Sequence, residues 1–446
     1  MYRFNLLQDE SDLKLGGRTL TEGLTLEKFV SNSDRNPSAV RLIFAMCLAE
    51  TLGMIGVFAF PTLLPRFFEI WQLSHTQAGW INGIYFAGYT VAVPLLVSLT
   101  DRVDARRIYL LFTVVGALAA LGFALFAHGF WTALLFRALA GLGLAGTFIP
   151  GLKALVDRLD GQAQARAVSF YTATFSLGTS LSFFATGQLE TLLGWRWAFA
   201  CGAAGSVIAF LVAVAALRPK PVPPIDTLTT PLLDFRPVLR NFEALAFILA
   251  YAAHMWELFA FRSWTVAFLT FNLSLHPDGS NSLAPSSVAA LTALIAMWAS
   301  VGGAEVAMRF GRQRTLLVVM GGSALLASGI GFAAAFPYPV LVGLLLIYAM
   351  FVQGDSATLH TGVVQAAELN RRGAAMAVQS LLGFASASAG PLVIGLVLDA
   401  TGSGQTVFSW GVAFIATGAV VALGPVCLKF LHQQSESSYK LATPHK

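Results

Sequence analysis

Ionisable side chains interrupt otherwise apolar stretches at Glu50, Arg137, His254, Glu257, Arg262, Glu305, Asp355 and His360. A charge at a bilayer centre costs about 2.5–3.5 kcal/mol on the insertion scale, so such residues persist where they face a cavity or a partner. Carboxylates in that setting can load and release protons, and arginines can hold anions. His254 and Glu257 are three residues apart and share one helix face. An imidazole beside a carboxylate is suited to proton exchange near neutral pH. Arg262 lies five residues past Glu257, about 140° round the helix, so it faces elsewhere. There it meets an entering anion or pairs with another helix.

Arg137 is followed by Gly141, Gly143 and Gly146, which bring helices close. It is either an anion-binding or proton-modulating residue or a packing arginine tied to backbone carbonyls. Glu50, alone in mid-run, reads as cavity-lining. Asp355 follows Gly354 and precedes Ser356, Thr358, His360 and Thr361. A polar run of that kind must face protein or water. The candidates for substrate contact or proton coupling are therefore Glu50, Arg137, His254, Glu257, Arg262 and Asp355. Glu305 stands one i,i+4 step before Arg309 and reads as a gate or structural residue.

The elements that must hold these groups follow from composition. Of 446 residues, 56% are hydrophobic and 11% charged, against about 25% charged in a soluble domain. That excludes a soluble enzyme, a disordered chain and a nucleic-acid binder. Cys47, Cys201 and Cys427 are isolated in apolar runs, so neither a disulfide scaffold nor a metal site is expected. No cofactor is expected either. Apolar runs long enough to span a bilayer lie near 40–62, 77–99, 106–127, 131–152, 165–187, 195–217, 243–270, 285–307, 313–335, 338–361, 372–397 and 405–430. The fold class is thus an all-α integral membrane protein with twelve transmembrane helices. Trp71, Trp80, Trp131, Trp195, Trp197 and Tyr338 fall near span ends, as interfacial aromatics should.

Residues 1–39 are mixed polar and read as a tail, without the apolar core of a signal peptide. Arg102, Arg106, Arg107, Lys153, Arg158, Arg166, Arg218, Lys220, Arg236, Arg240, Arg309, Arg312, Arg314, Arg371 and Arg372 occupy one set of loops. Arg66 and Arg196 occupy the other. The bias places both termini in the cytoplasm. Pro219, Pro221, Pro223, Pro224, Pro231 and Pro237 mark 218–242 as a cytoplasmic linker between helical bundles at 40–217 and 243–430, with a tail at 431–446.

The two bundles look like repeats. Glu50 and Glu257 are 207 positions apart, as are Arg102 and Arg309. Arg166 precedes Gly178 by twelve residues, and Arg371 precedes Gly383 by twelve. The loop Asp101-Arg102-Val103-Asp104-Ala105-Arg106-Arg107 and its echo Arg309-Phe310-Gly311-Arg312 resemble the loop signature of the major facilitator superfamily of transporters. Arg137-Ala138-Leu139-Ala140-Gly141-Leu142-Gly143 is similar to its fourth-helix motif. Gly194-Trp195-Arg196-Trp197-Ala198-Phe199 is similar to its junction between the fifth and sixth helices. The resemblance covers about 40–430 and implies two parallel six-helix halves with a site near the midplane. Within the family the chain is most similar to bacterial cyanate-permease-like members, which implies a bacterial inner membrane. It departs from the pattern at Val97, Asp104 and Met308. It also lacks the fifth-helix glycine-proline cluster of drug antiporters.

Asp101, Arg102, Arg106, Asp157, Arg158, Glu305, Arg309 and Arg312 are expected to form a cytoplasmic gate, bridging neighbouring helices while that side is closed. No catalytic spacing and no nucleotide-binding loop occurs, so the chain is not expected to be an enzyme or ATP-driven. The expected function is secondary transport of a small polar or anionic solute by alternating access. Protons are the expected coupling ion and a monomer the expected state. Drug or metabolite efflux by proton antiport is the alternative, with Trp256, Phe259, Phe261, Trp264 and Trp298 available for an apolar pocket. A non-transporting sensor or assembly factor of the same fold is the third reading.

Overall fold

The computed structural model describes residues 37–100, 102–221, 235–276, 283–368 and 371–431. The expected tails, the middle of the linker and Asp101 therefore lie outside the described residues. Every expected apolar run is helical: α1 (Pro37–Gly53), α2 (His75–Leu99), α3 (Ala105–Phe126), α4 (Phe130–Val156), α5 (Gly161–Leu193), α6 (Trp195–Ala216), α7 (Phe242–Leu275), α8 (Pro285–Phe310), α9 (Arg312–Ile330), α10 (Tyr338–Gly354), α11 (Arg372–Ala400) and α12 (Val407–Val421). Among the described residues, nine spans are long and apolar enough to cross a membrane on length and composition. This is an integral membrane protein.

Two helix breaks lie beside the candidate site residues. α1 stops at Gly53, turns through 54–58 and resumes as Ala59–Thr62 and Leu64–Trp71. Gly53 and Gly56 weaken the helix there, and Pro61 lacks an N–H. The loosened backbone is satisfied from α5, whose Ser182 Oγ accepts from Phe58 N at 3.0 Å and donates to Ile55 O at 2.6 Å. That is the condition for non-helical backbone at membrane depth. α10 breaks at Asp355 and resumes as Ser356–Ala366. At the break α8 comes so close that a Cβ on Gly303 would stand 1.8 Å from Gly354 O. Gly194 and Gly311, with φ of 90° and 89°, turn the chain between α5 and α6 and between α8 and α9.

Helix pairing shows the duplication. In the first half α1 packs on α5 and α6, α3 on α4 and α6, and α2 on α4. Six helices later the same pairs recur: α7 with α11 and α12, α9 with α10 and α12, α8 with α10. The halves meet through α2 with α11 and through α5 with α8, which are again equivalent pairs. The fold is the twelve-helix arrangement of two six-helix bundles. α7 is the most enclosed span, with 78% of its apolar window buried. Of the expected interfacial aromatics, Trp131 and Trp197 are exposed. Trp71 and Trp195 turn inward instead, stacking around Phe67 and Phe123.

Candidate functional site

The second half concentrates its charges on α7. His254, Glu257 and Arg262 are all buried. α7 and α10 run antiparallel, which sets Glu257 opposite Tyr348 and His254, one turn earlier, opposite Asp355. Glu257 Oε1 accepts from Tyr348 OH and from Ser323 Oγ of α9, each at 2.8 Å. His254 Nδ1 lies 2.7 Å from Asp355 Oδ1. The expected His254–Glu257 partnership is thus corrected. They share a side of α7, but Glu257 is engaged by hydroxyls, and the imidazole takes its carboxylate from the α10 break. His360 joins this cluster through Gln379, at 3.1 Å, and the Tyr251 ring.

Arg262 stands apart from these acids. Its Nη1 has no hydrogen-bond partner among the described residues, although the residue is 4% exposed. The guanidinium carbon is 5.7 Å from the Phe58 ring centroid and 5.9 Å from those of Phe175 and Phe259. Phe58 and Phe175 belong to the first half, so the guanidinium, which has no ion-pair partner among the described residues, lies among aromatic rings of both halves.

In the first half, Glu50 Oε2 accepts from Tyr171 OH at 2.8 Å, while Oε1 has no partner among the described residues. Arg137 Nη1 donates to Val57 O at 3.0 Å, and its guanidinium lies 4.1 Å over the Tyr85 ring. The α1 break frees that carbonyl, so Arg137 has the geometry of an arginine tied to backbone. One turn on, a Cβ on Gly141 would stand 1.9 Å from Tyr85 O, so α4 and α2 touch backbone to backbone beside it.

At the end of the bundle carrying the basic loops, the expected gate residues bond within their own halves. Asp104 pairs with Arg158 at 2.9 Å, caps α3 through Arg106 N, and accepts from Lys220 N. Burial alone would push the Asp104 carboxyl up, but these donors together hold it below the usual carboxylate range. Arg106 Nε and Arg158 Nε fasten the carbonyls of Leu217 and Arg218. Asp157 pairs with Lys153 at 3.1 Å. Glu305 pairs with Arg309 at 2.8 Å, and Arg312 Nη2 donates to Gln365 at 2.6 Å. Arg102 is exposed. Asp104, at the position where the family's loop usually has glycine, is the acid that Arg158 uses; its place just before Ala105-Arg106 is an N-cap signal.

The opposite end holds a contact that the sequence did not disclose. Asp399, from the end of α11, accepts from His75 N at 3.0 Å and Thr76 N at 2.8 Å, and its Oδ1 lies 3.0 Å from His75 Nδ1. A carboxylate of one half thereby caps the first turn of α2 in the other. Nearby, a Cβ on Gly79 or Gly395 would strike backbone of the opposite half at 2.7 and 2.2 Å. Gly187 of α5 meets Ser286 of α8 just as closely.

The family model of the Major Facilitator Superfamily matches residues 46–367, well over half of the chain. The chain belongs to the Major Facilitator Superfamily. Among curated proteins it is 24% identical over 248 residues to human "Protein spinster homolog 1", covering 52% of this chain and 46% of that one. The chain therefore spans about half the length of the spinster homologues it matches. It is 22% identical over 342 residues to a "Putative metabolite transport protein" of Haemophilus influenzae, covering 73% of this chain and 81% of that one. A solved bacterial homologue of the human lysosomal transporter Spinster, inward-facing and occupied, has a TM-score of 0.72 at 15% identity, covering 90% of this superfamily member and 98% of that chain. The likeness to these relatives lends no support to a cyanate-permease-like branch.

Proposed function

We propose that this superfamily member is a secondary active transporter carrying a small polar or anionic solute by alternating access, coupled to protons. The observation that carries the reading is Arg262, a buried cation with no ion-pair partner among the described residues and with aromatic rings of both halves around it. An isolated buried charge is costly unless a partner arrives, and an anionic group of the solute supplies one. Glu257, held by Tyr348 and Ser323, is the coupling acid, with the His254–Asp355 pair beside it. The basic loops orient the chain with both termini cytoplasmic, in a bacterial inner membrane. The bundle at 40–217, the linker at 218–242 and the bundle at 243–430 are the moving parts.

A ligand screen by melting temperature tests this, because a ligand adds RT ln(1 + [L]/Kd) of stability. Carboxylates or inorganic anions are expected to raise the melting temperature of the purified protein, and cationic dyes to leave it unchanged. A rise with dyes alone would overturn the anion reading and favour efflux of a drug-like cation.

In this scheme the Asp399 cap is the outer latch. Replacing a capping side chain by alanine costs about 0.5–2 kcal/mol, which shifts a two-state ratio about twofold to thirtyfold. Asp399→Ala is expected to increase labelling of a cysteine at Ser286 by a membrane-impermeant maleimide several-fold, in a background without the native cysteines. Unchanged labelling would remove Asp399 from the gate.

A further inference from the structure

Between α1, α2, α3, α4 and α6 lies a cavity of about 50 Å³ lined by first-half residues, with Arg262 not among them. Its polar lining includes Glu50, Tyr85, Tyr109, Thr113, Thr147 and Ser206. Three of these hydroxyls have already committed their protons. Thr113 Oγ1 donates to Tyr109 O at 2.7 Å, Thr147 Oγ1 to Gly143 O at 3.2 Å, and Ser206 Oγ to Gly202 O at 3.1 Å. What these groups have left to offer the cavity is oxygen lone pairs. Glu50 is 2% exposed, its Oε2 is taken by Tyr171, and Oε1 is without a partner among the described residues.

One unpartnered carboxylate oxygen and three hydroxyl oxygens whose protons are committed can receive a hard cation, and the Tyr85 and Tyr109 phenols add groups that donate as well as accept. The single negative charge matches a monovalent ion; divalent ions usually recruit more carboxylates. The size agrees. A water needs about 10–15 Å³ on this measure, so the space holds one ion with a few waters and no organic solute. Arg137 is not among the lining residues: its Nη1 donates to Val57 O and its guanidinium lies over the Tyr85 ring, while its Nε has no hydrogen-bond partner among the described residues. We infer that this cavity is a sodium site, with Glu50 supplying the charge and Thr113, Thr147 and Ser206 the neutral oxygens. The inference goes beyond the transport reading and stands without it, because its readout is ion binding rather than flux.

The test is thermal unfolding of the purified full chain in sodium chloride against choline chloride at equal ionic strength and pH 8. Sodium is expected to raise the melting temperature in a saturable way, and choline to leave it flat. Glu50→Gln keeps an acceptor for Tyr171 OH but loses the charge, and its sodium-dependent rise is expected to vanish. Thr113→Val keeps the shape and loses one oxygen, so its sodium midpoint is expected to move at least tenfold higher; it decides the matter if Glu50→Gln does not fold. Glu257→Gln is expected to keep the full sodium response, which separates this site from the proton-coupling acid. An equal response to sodium and choline in the wild type, or a rise that survives both Glu50→Gln and Thr113→Val, overturns the proposal.

Discussion

If the solute is the proposed anion, Arg262→Ala is expected to abolish its transport while the protein inserts and folds at wild-type yield. Truncating one partner of a buried charge pair costs about 2–5 kcal/mol, which is about thirtyfold to several thousandfold in affinity. Arg262 Nη1 has no hydrogen-bond partner among the described residues, so removing the side chain relieves a buried charge at the loss of its aromatic contacts, and the melting temperature is expected to change little. Arg137→Ala behaves differently although it too is expected to stop transport. Its guanidinium satisfies Val57 O in the broken part of α1, and deleting it strands a buried acceptor, at a cost of about 1–3 kcal/mol. Arg262→Lys, which retains a cation without the planar fork, is expected to recover part of the binding. Ligand titration and melting curves on the three variants distinguish these roles. Transport at the wild-type rate by both Arg262→Ala and Arg137→Ala would end the anion-site model.

That contrast shows where sequence reading succeeds and where it stops. Both arginines were visible as intramembrane charges, and their cost identified them equally. Their difference arises from tertiary events. Val57 O is available to Arg137 because α1 breaks at 54–58, and the break is stabilised by Ser182, more than a hundred residues away. The apolar runs were legible because bilayer thickness sets their length. Their ends were less so: α5 extends over Gly161–Leu193 and α7 over Phe242–Leu275, beyond the expected runs, because polar helix ends continue past the hydrocarbon. The His254–Glu257 spacing gives a shared helix face. It could not reveal that Asp355, at a break in α10, would take the imidazole. The Asp399 cap joins residues more than three hundred positions apart. Nothing local marks either partner, since a histidine and an aspartate at helix ends are ordinary surface residues in sequence.

Glu257→Gln carries the second large effect, and it is one of function without loss of fold. Glutamine resembles the protonated carboxyl, and its amide oxygen can still accept from Ser323 Oγ and Tyr348 OH, the two bonds that Oε1 receives at 2.8 Å. The local structure therefore has little reason to change. If Glu257 carries the coupling proton, a side chain fixed in the loaded form permits the halves to rock with solute bound but cannot release a proton on one side and take it up on the other. Counterflow exchange in proteoliposomes is accordingly expected to stay within about twofold of wild type, an estimate from the near-unchanged packing. Accumulation driven by an imposed pH gradient is expected to fall to the level of protein-free vesicles. The competing view makes Glu257 a structural anchor between α7, α9 and α10. Under that view the variant melts lower, and exchange and accumulation decline together. Running both assays on one preparation decides between them: retained exchange with lost accumulation assigns the proton to Glu257, and gradient-driven accumulation at the wild-type level takes it away.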